Sequence, residues 1–241
     1  MASASKLHDA DILFNPSPWA ELVETQRDLF NPDALIRISD RLRGEFHDGH
    51  ADGRDMPEIA PQDWNTKLLA PYVGGTIGYD LPCLLSADRP SRGRIMLCAQ
   101  DPLRKPGGAR LTVGTFFGID NHTLRTRRHY GVIWLFIRQC VLAGYDVWVT
   151  DAIKLYAGRN VLRRDPDLRS LSISVISAEV AAFRPDKILT FGNDARWAMK
   201  ASGAVVPLTH VAHPNARGIK GPFKDRLIIY SQALFGSDSP Q

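Results

Sequence analysis

The sequence predicts an α/β fold: a central four-stranded, mostly parallel sheet flanked by helices. Three observations predict it. From Arg92 onward short apolar runs of strand length alternate with stretches of helical periodicity, the pattern of parallel strands joined by crossover helices. Four such runs occur. Each ends directly on polar or ionisable residues, which is where ligands sit in an open parallel sheet.

The first run is Arg94-Ile-Met-Leu-Cys-Ala99, followed by a loop and a helix with Tyr130, Ile133, Trp134, Ile137 and Val141 on one face before Gly144. The second is Asp146-Val-Trp-Val-Thr150. Helical spacing of Leu171, Val175, Ile176, Val180 and Phe183, stopped by Pro185, leads to the third run, Lys187 to Phe191. Asn193 then reads as a helix N-cap, with Gly203 closing that helix. The fourth run is Pro207 to Ala212.

Residues 1–90 are rich in Asp, Pro and Gly. They carry one fair helical stretch, Pro18 to Phe30, and a polar segment, Gly44 to Gln62, that reads as loop. They are expected to form an embellishment packed on a core of residues 91–241, within one structural domain. Val73-Gly-Gly-Thr-Ile-Gly78 lacks the Gly-Lys-Ser/Thr ending of a P-loop, and reads as a flexible loop near the mouth of the site.

At 241 residues, 44% hydrophobic and 23% charged, the chain can bury one sizeable core. It contains no apolar run long enough for a membrane helix, and its opening residues lack a basic and apolar leader, so a soluble, cytoplasmic protein is expected. The 3 cysteines, Cys83, Cys98 and Cys140, are too few and too scattered for a disulfide framework or a four-cysteine cluster, and read as reduced core residues. His210 and His213 fall on opposite faces of a strand, so no metal site is expected.

The net charge of +4 hides a split. Residues 1–90 carry 8 Lys/Arg against 15 Asp/Glu, and residues 91–241 carry 22 against 11. The later region is therefore strongly cationic, which suits an anionic partner such as nucleic acid, although scattered solvated charge explains it equally.

The segment Ile95-Met-Leu-Cys-Ala-Gln-Asp-Pro-Leu-Arg-Lys-Pro-Gly-Gly-Ala109 resembles the water-activating motif of the uracil-DNA glycosylase superfamily, a hydrophobic strand followed by G-Q-D-P-Y-H-G-P-G-Q-A. Gln100, Asp101, Pro102, Pro106, Gly107 and Ala109 match in place. His213-Pro214-Asn215 resembles the superfamily's H-P-S motif. Thr150-Asp-Ala-Ile-Lys154 resembles the T-N-A-V-K of its iron-sulfur branch, Phe191-Gly-Asn-Asp-Ala195 its L-G-x-x-A, and Gly114-Thr-Phe-Phe-Gly118 its G-x-P-F-G. The resemblance spans roughly residues 92–235, and with three cysteines it is to an atypical member without the iron-sulfur cluster.

What the resemblance implies is a uracil-DNA glycosylase-like enzyme. Such an enzyme flips the nucleotide from the stack, holds the base by its edge, and hydrolyses the N-glycosidic bond of uracil or a related deaminated base. By resemblance Asp101 positions the attacking water and offsets charge on the sugar, while His213 donates to the base O2 as negative charge develops there. Base contacts fall to Gln100, Asn193, Asp151 and a stacking ring, Phe117 with Phe116 in reserve. Two adjacent Phe in an apolar run also read as core. Asp151 stands where most of the family has Asn. It could read the base as a neutral carboxyl, donating to O4 and accepting N3-H, read another base, or leave the reading to Asn193 or backbone amides.

DNA contacts are expected from Arg104, Lys105 and Arg110 after the first motif, Lys154, Arg159, Arg163 and Arg164 after the second, and Arg217 and Lys220 after the third. Arg217 or Ile219 occupies the place of the family's stack-inserting wedge. The implied protein is a monomer with no cofactor, acting on damaged DNA. Two other readings compete, a non-catalytic nucleic-acid-binding relative and an α/β enzyme of free nucleotides. A water-activating carboxylate opposes the first, and the cationic region the second.

Overall fold

The computed structural model describes residues 11–14, 19–48, 55–105, 108, 110–158, 165–216 and 222–236. The four apolar runs form β4 (Arg94–Ala99), β6 (Asp146–Asp151), β8 (Lys187–Phe191) and β9 (Leu208–Val211). They pair in parallel, β6 with β4, β4 with β8 and β8 with β9. Residues Ile95 to Ala99 and Val147 to Val149 are all buried, as expected of strands covered on both faces.

The sheet is larger than expected, and mixed. Its order is β1-β3-β6-β4-β8-β9, with β1 (Ile12–Phe14) antiparallel to β3 (Cys83–Ala87) and β3 antiparallel to β6. Both added strands come from residues 1–90. That segment, expected as an embellishment, thus builds one edge of the main sheet. The same segment supplies β2 (Ile77–Leu81), the centre of a second sheet of order β5-β2-β7, with β5 at Leu111–Thr115 and β7 at Leu155–Tyr156. The Gly-rich stretch therefore ends inside a strand. Because β5 follows the loop after β4, and β7 follows β6 within four residues, the small sheet is tied to the carboxyl ends of the central strands.

Seven helices are described: α1 (Trp19–Thr25), α2 (Pro32–Asp48), α3 (His122–Arg125), α4 (Arg128–Leu142), α5 (Pro166–Phe183), α6 (Asn193–Ala201) and α7 (Phe223–Phe235). They pack in two groups, α4 with α7, and α5 with α1 and α6. The segment from Gly44 begins as helix α2, whose Leu42 and Phe46 join the core. α5 starts where Asp165 accepts the N–H groups of Asp167 and Leu168 at 3.1 and 3.0 Å beside Pro166. It stops at Arg184, in a left-handed conformation before Pro185. No helix among the described residues is long and apolar enough to cross a membrane.

Two local devices aim the ends of the strands. The cap of α6 is Gly192, at φ +90°, and Asn193 is the first helical residue rather than the cap. A tight strand-to-helix turn needs positive φ, which glycine adopts without Cβ strain. After β5, Phe117 takes a left-handed conformation (φ 51°, ψ 25°), costly for an aromatic residue and of the kind that gathers at functional sites. Thr115 and Asp120 brace that turn by a side-chain hydrogen bond. Behind it Arg125 lies between the rings of Phe46 and Trp134, at 4.2 and 4.4 Å, and donates to Ile119 O at 2.7 Å.

Candidate active site

The carboxyl ends of β4, β8 and β9 surround a cavity of about 580 Å³. Gln100 lines one side, Gly192, Asn193 and Asp194 another, and His210, Ala212, His213, Asn215 and Ala216 the third. Its size suits a nucleoside or a small polar ligand.

His213 dominates this side. The Asn215 N–H donates to His213 Nδ1 at 3.2 Å, so the ring proton sits on Nε2. Burial, with the charges of His129 and Arg226, pushes its pKa down to about 4, so the imidazole is neutral at ordinary pH. A neutral ring protonated at Nε2 can donate one hydrogen bond without carrying a charge. Its position is secured from α7, where Arg226 donates to Pro214 O and Tyr230 to Ala212 O. Phe117 lies nearly parallel to the imidazole, with ring centroids 5.6 Å apart and planes at 26°.

At the end of β4 the chain turns sharply. Leu103 N donates to Asp101 O at 2.9 Å, and Ile153 N to Gln100 O at 2.9 Å, which locks the loops after β4 and β6 together. The Gln100 amide donates to Asp101 Oδ2 at 3.3 Å, linking the cavity wall to the carboxylate. Asp101 itself is half-buried.

Beyond Asp101 lies a cluster of acids. Asp151 is 4% exposed, and the charge of Asp80 on β2 reaches it. Burial and the charges of Asp80 and Asp101 push the Asp151 carboxyl well above the usual carboxylate range, against the pull of Lys154 and Arg104. Asp80 is also raised by burial, but Arg104 opposes this with an ion pair at 2.6 Å. The same guanidinium donates to Tyr79 O, Thr112 Oγ1 and Pro102 O at 2.8, 3.0 and 3.2 Å. Gly114 makes room, since a Cβ there would meet Asp80 Oδ1 at 2.9 Å and Arg104 at 3.0 Å.

Several expected roles change. Arg104 is spent on internal acceptors and does not face a phosphate. Lys154 is 1% exposed, its ammonium bonded to Glu179 and Thr150 at 2.5 Å each, so it too is internal. Glu179 further accepts from Gln26 and Trp148, closing a buried polar network. Phe116 is 0% exposed, so no base face can reach it, whereas Phe117 is half-buried. Asp151 does not line the cavity. Lys105 is exposed, and Arg110 is half-exposed and ion-paired to Glu58 at 2.7 Å. Arg159, Arg163, Arg164, Arg217, Ile219 and Lys220 lie outside the described residues.

The structure adds Asp80, Arg226 and Tyr230, which sequence reasoning missed. Asp80 had a legible signal, an acid inside the otherwise apolar run Ile77 to Leu81. Arg226 and Tyr230 act through backbone carbonyls and leave none. Compared with family models and with curated proteins, the chain matches none.

Proposed function

We propose that the protein is a DNA glycosylase of the uracil-DNA glycosylase type, hydrolysing the N-glycosidic bond of uracil or a related deaminated base flipped from DNA. The parallel strands β6-β4-β8-β9 are, on this reading, the glycosylase core. The observation that carries it is His213: a neutral imidazole with its proton on Nε2, stacked beside Phe117 and facing, across the cavity, a wall bonded to Asp101.

Cleavage leaves negative charge on the departing base and positive charge on the sugar. A neutral donor fixed in place answers the first without offering a competing acid, and such a preorganised donor contributes about 10²–10³-fold. Asp101 answers the second and orients water for attack at the sugar carbon. Phe117, stacked beside the His213 that lines the cavity, offers a face to the base.

Incubation with uracil-containing duplex, followed by alkali and a sizing gel, tests the reading. Strand breaks at uracil are expected. Asp101→Asn should slow single-turnover excision at least about 100-fold while duplex binding persists. Tight binding without cleavage by the wild-type protein would favour the non-catalytic relative.

A further inference from the structure

Asn215 follows His213 by two residues and shares one wall of the cavity with it. Its backbone N–H already fixes the His213 ring. Its side chain reaches elsewhere, and the amide Nδ2 lies 3.2 Å from Nε2 of His129 on α4. An amide nitrogen only donates, so His129 Nε2 is the acceptor and this ring carries its proton on Nδ1. Partial burial and the charges of Arg226 and Arg128 lower the His129 pKa, which keeps the ring neutral. Tyr130 packs on the imidazole with ring centroids 4.0 Å apart, and Phe117 meets it at a steep angle 6.3 Å away, so the ring is held in place. With Nδ2 committed, the polar atom left on the Asn215 side chain is Oδ1, which has no hydrogen-bond partner among the described residues.

We propose that His129 is a positioning residue that turns the Asn215 carbonyl oxygen into the cavity, where Asn215 and His213 together read the lactam edge, O=C–N–H, that deamination creates. The inference rests on the glycosylase reading and names the edge that its site selects. His213 supplies a donor from Nε2, and Asn215 an acceptor on the same wall. In uracil O2 accepts and the adjacent N3-H donates, and hypoxanthine presents the same pair at O6 and N1-H. Cytosine and adenine carry an unprotonated ring nitrogen at that place, which meets Asn215 Oδ1 as a second acceptor.

Around His129 stand Arg128 and Tyr130 of α4, Arg226 of α7, and His213 after β9. Protonation gives His129 a second N–H, so both ring nitrogens donate. The amide then turns over, offering Oδ1 to His129 and Nδ2 to the cavity. Two donors on the wall suit cytosine better than uracil. Preference for the lactam is therefore present at neutral pH and lost as pH falls through the His129 pKa, which lies below 6.5.

Two measurements test this. Imidazole nitrogen NMR of the free protein at neutral pH should show His129 Nε2 unprotonated and Nδ1 carrying the proton. A proton on Nε2 overturns the inference whatever the activity. Amide-shift titrations should give at least about 10-fold tighter binding of N1-methyluracil than of N1-methylcytosine, the worth of one good hydrogen bond. That preference should fall on acidification. His129→Leu should bring it below about 3-fold, and His129→Gln, whose carbonyl can accept from Asn215 Nδ2, should restore it and remove its pH dependence. His129→Gln as indifferent as His129→Leu overturns the proposal, and so does a wild-type protein that does not separate the two bases. The expected tautomer and preference without excision of any deaminated base would instead sink the glycosylase reading and leave the base-reading wall in place.

Discussion

The two halves of the site handle charge in opposite ways. On the side of β2, β4 and β6, carboxylates and cations are buried together. Asp80 is clamped by Arg104, burial raises the carboxyls of Asp80 and Asp151, and Lys154 is locked to Glu179. On the side of β8 and β9, the cavity is open and its central group, His213, is neutral and held by a few bonds to backbone. Buried ions need partners to offset desolvation, and a group so partnered has little capacity left for a ligand. A neutral imidazole needs fewer partners and keeps a donor in hand. The difference separates residues that build the site from those able to act in it.

The largest effect is expected from breaking the buried side. Lys154→Met strands the Glu179 carboxylate, 0% exposed, and should cost about 3–5 kcal/mol in urea unfolding. A loss below about 1 kcal/mol would show that the network is not carried by the ion pair.

On the open side the expected losses fall on activity. His213→Ala should slow excision about 100-fold and leave stability at neutral pH nearly unchanged. With a folded pKa of about 4 against 6.5, the unfolded chain binds the His213 proton more readily. The stability it contributes is therefore present above pH 6.5 and lost as pH falls through about 4. Thermal unfolding of His213→Ala should show a shallower decline over that interval, and wild-type excision should show no limb from His213 between about pH 6 and 8. An activity that rises on acidification through pH 6.5 would mean that the imidazolium acts.

The smallest effect tells the two kinds of cation apart. Lys105→Ala should flatten the slope of log K against log salt for non-specific duplex by about 1. The folded Lys154→Met protein should keep the wild-type slope, because an ammonium sealed against Glu179 displaces no counterion from DNA.

Gln100, Asn193 and His213 could be placed at the cavity from sequence because each lies within two residues of the end of an apolar run, and strand ends converge in an open parallel sheet. The four central strands were legible for the same reason. β1, β2 and β3 were not, since they are short and their pairing is long-range, with Ile12 opposite Ala87 and Gly78 opposite Thr112. Asn193 was read one place out, because a positive-φ glycine can cap a helix as well as an Asn side chain can.

Arg104 and Lys105 draw the line between local and tertiary information. They are neighbours of like charge in one loop, indistinguishable as phosphate contacts in the sequence. Tertiary structure sends Arg104 inward to an acid 24 residues earlier in the chain, and leaves Lys105 exposed. By itself the sequence determined the strand-and-helix alternation, the chemistry placed at the strand ends, and the absence of a cysteine framework, because these depend on residue type and local spacing. Only the fold decided which charges are buried and paired, and which tautomer His213 adopts. The cost of desolvating a charge, and the partner that offsets it, are set by groups brought together from distant parts of the chain.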